Sequence, residues 1–131
     1  MSKNKFVIEH EINASKKMLF PYLNTASGLS QWFADDVTVN EDHQYTFKWD
    51  SEIQKAKITA HRTNSYVRFE FEETKKNDDD EPWYIEFRLE ENELTQSVFL
   101  KVIEYTDAED MDEQQELWEN LFDNLKETVG G

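Results

Sequence analysis

Glu109-Asp110-Met111-Asp112-Glu113-Gln114-Gln115-Glu116-Leu117-Trp118-Glu119-Asn120-Leu121-Phe122-Asp123-Asn124-Leu125-Lys126-Glu127-Thr128 is the stretch that decides the fold. Leu117, Trp118, Leu121, Phe122 and Leu125 recur at helical spacing and put a broad apolar stripe on one face. Acidic and polar residues occupy the other face. Such a helix must bury its stripe, and the only large surface on offer is a sheet built by the strands before it. The early acids also suit a helix N-terminus, where they complement the backbone dipole.

Those strands are legible as alternations. Phe6, Ile8, His10 and Ile12 alternate with Val7, Glu9 and Glu11. Ser15 then stands where a helix cap is needed, ahead of Met18, Leu19, Tyr22 and Leu23 at helical spacing. Pro21 kinks or shortens that helix. A second short helix over residues 25–33 buries Leu29, Trp32 and Phe33, with Gly28 marking a bend near its start. Further alternations follow at 37–39, 45–49, 55–60, 67–71 and 83–90, separated by polar turns. Residues 73–82 read as an exposed hairpin loop. Residues 94–105 read as the last strand, and both its faces carry apolar side chains, so its inner face stays unassigned. The whole predicts one α+β domain over residues 1–131. Its curved antiparallel sheet has about six or seven strands, with two short helices after the first strand and a long C-terminal helix packed across.

Composition excludes whole classes of function. The chain of 131 residues carries 29 acidic and 14 basic residues, a formal net charge of −15. That surface repels phosphate backbones and anionic membranes, so neither nucleic acid nor membrane is an expected partner. A basic protein partner is compatible with it, although acidity serves solubility in most proteins. No cysteine is present, which removes disulfides, thiol catalysis and thiolate metal sites. The first residues are polar and lead straight into a strand, so no signal peptide is read there, and the expected location is cytoplasmic. Only 37% of residues are hydrophobic, and aromatics at 14% must supply much of the core.

The order of elements resembles the helix-grip fold of the START/SRPBCC superfamily, which includes the birch-pollen-allergen-like proteins. Within it, the chain looks like the small START-like domains related to the heat-shock-protein ATPase activator. Phe6-Val7-Ile8-Glu9-His10-Glu11-Ile12-Asn13-Ala14-Ser15 resembles the opening strand and cap. Leu29-Ser30-Gln31-Trp32-Phe33 resembles the end of the second short helix, and 116–126 resembles the closing helix. The resemblance implies a cavity between sheet and helix that takes a small apolar molecule. It also implies two alternatives: a protein-interaction module associated with chaperones, and an enzyme of the polyketide-cyclase type. The chain departs from the group in having no glycine just before the strand that begins near Gln54 and a short segment between Phe33 and Tyr45, both of which work against a large pocket.

The candidate ligand-binding residues are Trp32, Phe47, Trp49, Phe69, Phe87, Trp118, Phe122 and His10. Inward aromatics either line a pocket or simply fill the core, and both readings stay open. His10 is the one ionisable residue that stands clearly on an inward position. No catalytic residue, cofactor or metal site is assigned. His10, His43 and His61 lack paired spacing, and the acidic run 78–81 lacks the offsets and glycine of a calcium loop. Phosphate loops and nucleophile elbows are absent, so catalysis is not expected from motif alone. Ligand identity and oligomeric state are not readable.

Overall fold

The computed structural model describes residues 4–50, 52–72, 83–106 and 110–130. The loop expected over 73–82, with its acidic run, lies outside the described residues, as do Asp107 and Glu109 ahead of the last helix.

The elements are β1 (Asn4–Ile12), α1 (Lys16–Leu19), α2 (Pro21–Asn24), α3 (Ala26–Leu29), β2 (Asp36–Val39), β3 (Gln44–Trp49), β4 (Glu52–Arg62), β5 (Tyr66–Phe71), β6 (Tyr84–Glu91), β7 (Val98–Thr106) and α4 (Met111–Val129). The seven strands form one curved antiparallel sheet in the order β1-β7-β6-β5-β4-β3-β2. From β2 to β7 it is a meander of successive hairpins. β1 and β2, neighbours in sequence, lie on opposite edges, and the three short helices carry the chain between them. The register shifts between Ile58 and Ala60 in β4. Such an irregularity bends a strand and raises its twist.

Local chemistry sets the boundaries. Ser15 Oγ accepts the Met18 N–H at 3.1 Å and starts α1. Pro21 splits the first expected helix into two single turns, with Phe20 ending one and preceding the next. Thr25 Oγ1 accepts the Gly28 N–H at 3.0 Å and donates to the Pro21 carbonyl at 2.6 Å, which brings α3 hard against α2. Asp110 caps α4 through the Glu113 N–H at 3.0 Å, and Gly130, at φ 80°, closes it in the left-handed conformation.

Two local expectations are corrected. The last strand begins at Val98, not Leu94, whose side chain is 95% exposed. Asn92 Oδ1 accepts the N–H groups of Leu94 and Thr95, which folds that stretch into a turn instead. Leu117, counted in the buried stripe of α4, is 48% exposed.

Phe6, Ile12, Leu23, Leu29, Trp32, Phe33, Phe47, Phe69, Phe87, Leu100, Trp118 and Phe122 are among the side chains buried between the sheet and the helices. Edge-to-face rings dominate this core. Phe33 meets Phe47, Trp49 and Phe87 at interplanar angles of 88°, 83° and 90°, the arrangement ring quadrupoles prefer. On the other face of the sheet, Glu86 is buried between Arg68, at 2.9 Å, and Arg88. Those guanidinium groups lie over Tyr84 and Tyr66, at 4.1 and 4.6 Å from the ring centroids. A buried carboxylate needs such pairing to offset its lost hydration.

Candidate functional site

The packed core gives way at one end of the sheet. There the first half of α4 passes over the ends of β3, β4, β6 and β7 and leaves a cleft of about 550 Å³. Trp49 and Glu52 reach it from either side of the β3–β4 turn. Trp83 and Ile85 come from β6 and the residue preceding it, Glu104 and Thr106 from β7, and Gln114, Leu117, Trp118 and Leu121 from α4. Phe33 contributes from the segment after α3.

Each wall is fixed by hydrogen bonds. The Trp49 indole N–H donates to the Phe33 carbonyl at 2.7 Å, which sets the ring against the cleft. The β3–β4 turn is held by Asp35, whose Oδ2 accepts the Asp50 N–H at 2.6 Å. Asp50 itself takes a positive φ of 46°, which an aspartate tolerates better than most residues. Trp83 stacks on Phe71 with centroids 4.1 Å apart.

Glu104 is the chemical centre. Its side chain is on the inner face of β7, between Phe6 of β1 and Ile85 of β6 in register, and the residue is 5% exposed. Its Oε1 accepts the Trp118 indole N–H at 2.9 Å and the Gln114 amide N–H at 2.9 Å. Its Oε2 accepts the Trp83 indole N–H at 3.1 Å. One carboxylate thus ties α4 to the start of β6 and to β7. Burial pushes the Glu104 carboxyl above its ordinary value of 4.5, against the hydrogen bonds from Trp118, Trp83 and Gln114, which lower it.

The sign of the stability effect follows. The folded state holds this proton more tightly than the unfolded state, so the group's contribution is complete below about pH 4.5 and is lost as pH rises through the folded value. We therefore expect wild type to lose stability relative to Glu104→Gln as pH rises from 4.5, in urea titrations of both proteins. A stability difference that is flat with pH would show that Glu104 titrates as it does in the unfolded chain.

The candidate residues named from sequence are divided by the fold. Trp49 and Trp118 face the cleft. Trp32, Phe47, Phe69, Phe87 and Phe122 sit in the packed core, Phe47, Phe87 and Phe122 with no exposed area. Trp32 uses its indole N–H on the Tyr22 carbonyl at 2.8 Å. His10 does face α4, with its ring 5.4 Å from Phe122, its Nδ1 3.1 Å from the Glu11 carbonyl and its Nε2 3.4 Å from Lys126 Nζ. Its partner in β7 is Leu100, four residues from Glu104, or roughly 13 Å along the strand. The inward ionisable residue of the cleft is therefore Glu104, which sequence reasoning missed. The signal was the alternation Val98, Leu100, Val102, Glu104, Thr106, masked by Phe99, Ile103 and Tyr105 on the opposite face.

Among the described residues no group of three His, Cys, Asp or Glu side chains is placed to hold a metal ion. A second hollow of about 250 Å³, beside β3 and β4, is lined by His43, Tyr45, Ile58 and His61. No described helix is long and apolar enough to cross a membrane.

The family model of the START-like superfamily domain matches residues 1–131. The chain belongs to that family. Among solved structures, this START-like domain is similar to BfR322 from Bacteroides fragilis, at 33% identity and a TM-score of 0.63, covering 98% of this chain and 92% of that one. Its backbone also matches the Aha1 dimer from Colwellia psychrerythraea, at a TM-score of 0.76 and 19% identity, covering 96% of each chain. CalU16 from Micromonospora echinospora matches at a TM-score of 0.71 and 16% identity, covering 97% of this chain and 74% of that one. The last two likenesses are likenesses of fold. No curated protein matches the sequence significantly.

Proposed function

We propose that this START-like domain binds a small apolar molecule in the cleft between the sheet end and α4. The observation that carries the reading is the break in an otherwise filled core. Phe33, Trp49, Trp83, Trp118 and Leu121 wall a space of about 550 Å³ around one buried carboxylate. Ligand sites have this character: mostly apolar and aromatic walls, a volume of a few hundred Å³ and few polar groups. No described residue of the cleft pairs a nucleophile with a base, so binding rather than catalysis is the function the geometry supports best.

A ligand that binds only the folded state raises the melting temperature. Three indoles in the wall, Trp49, Trp83 and Trp118, should report occupancy by fluorescence. We expect at least one class among fatty acids, sterols, flavonoids and polyketide-like aromatics to raise the melting temperature and quench tryptophan emission. Trp49→Ala should reduce both responses. A panel with no shift in any class would overturn the binding reading and leave a protein-interaction module with an acidic surface.

A further inference from the structure

The charges around the cleft are one-sided. Its described lining includes two carboxylates, Glu104 within the wall and Glu52 on β4, and no Lys, Arg or His. Glu104 is nearly inaccessible to solvent, yet its three hydrogen-bond partners among the described residues are all neutral N–H groups. The neighbours that pack on it are Phe6, Ile85, Trp83, Gln114 and Trp118, none of which carries a charge. A buried carboxylate ordinarily has a cationic partner, as Glu86 has in Arg68 and Arg88 on the other side of the same sheet. Its two oxygens also differ. Oε1 takes two donors, whereas among the described residues Oε2 takes only the Trp83 indole and can accept another.

Aromatic walls complete the pattern. Indole faces attract cations, and the attraction grows as water is removed. Trp49, Trp83 and Trp118 surround the space next to Glu104. The protein's net charge of −15 favours entry of a cation over an anion.

We infer that the cleft selects small hydrophobic amines, with the ammonium group donating to Glu104 Oε2 and the apolar body lying among Trp49, Trp118 and Leu121. This inference rests on the cleft being a ligand site and narrows its ligand to one chemical class. A carboxylate of the same shape meets Glu104 and Glu52 as like charges and is excluded.

Three probes with one body and different heads test it: 4-phenylbutylamine, 4-phenylbutanol and 4-phenylbutanoate. Binding is read by tryptophan quenching and thermal shift at neutral pH. The amine should bind about tenfold more tightly than the alcohol, the size of one desolvated cation contact, and the carboxylate most weakly. In Glu104→Gln the preference for amine over alcohol should collapse to within about twofold. General attraction to an acidic surface would survive that substitution, which removes one negative charge from a net −15. Circular dichroism checks that the variant folds; if it does not, the ranking in wild type decides alone. Alcohol or carboxylate binding as tightly as the amine overturns the inference and leaves the cleft as a ligand site. No binding by any of the three overturns it too, and the cleft reading falls with it only if the wider apolar panel also gives no shift.

Discussion

Trp118→Ala should cost about 3–5 kcal/mol of folding stability, the range for removing a large buried aromatic. The residue is 2% exposed and touches three other rings, stacking on Phe33 at 5.7 Å and meeting Phe87 and Phe122 at 6.1 and 6.2 Å. Its loss also deprives Glu104 of an N–H donor at 2.9 Å, leaving a buried carboxylate less well satisfied. Leu117→Ala, one position away on the half-exposed side of α4, provides the control and should cost about 1 kcal/mol or less. Urea titrations of the two variants measure the contrast. Equal costs would mean that α4 does not dock through the face carrying Trp118.

Gly28→Ala should be the other severe substitution, at about 3 kcal/mol, the upper end of overpacking costs. Helix propensity alone predicts the opposite sign, since alanine is favoured over glycine by about 1 kcal/mol. Space decides the outcome. A Cβ at Gly28 would stand 2.1 Å from the Pro21 carbonyl oxygen and 2.6 Å from the Tyr22 Cα. Both are backbone atoms, so relief requires α2 and α3 to separate. That would also strain the Thr25 hydroxyl, which bonds Pro21 and Gly28 at once. A neutral or stabilising result in thermal or urea melts would show that the two turns are not packed this closely.

The parts of this fold that were readable in sequence are those with one apolar face. The stripe of α4 marked Trp118, Phe122 and Leu125 as buried, and they are. The alternations at Phe6–Ile12, Tyr45–Trp49 and Val67–Phe71 likewise gave strands with the inner residues correctly placed. β7 hid its face because its half-buried outer side also carries the apolar Phe99, Ile103 and Tyr105, and with the face went Glu104. Whether aromatics fill or line a space was also unreadable. Phe47 and Trp49 sit on the same face of one strand, with rings stacked 5.6 Å apart, yet one is wholly buried and the other borders the cleft. The difference depends on where the first half of α4 lies over the sheet, a tertiary fact that local spacing does not encode.

The strand order also sets when the molecule can become whole. Among the described strands β1 has β7 as its only hydrogen-bonded neighbour, through nine register pairs from Asn4↔Thr106 to Ile12↔Val98. From β2 to β7 each strand pairs with its neighbour in sequence, whereas β1 must bridge a separation of roughly a hundred residues, with the larger loop entropy that entails. During synthesis β1 emerges first and is the last strand whose partner exists. Until β7 is made, Phe6, Ile8 and Ile12 have no sheet to join, and the nascent chain carries an unpaired apolar strand through most of its elongation.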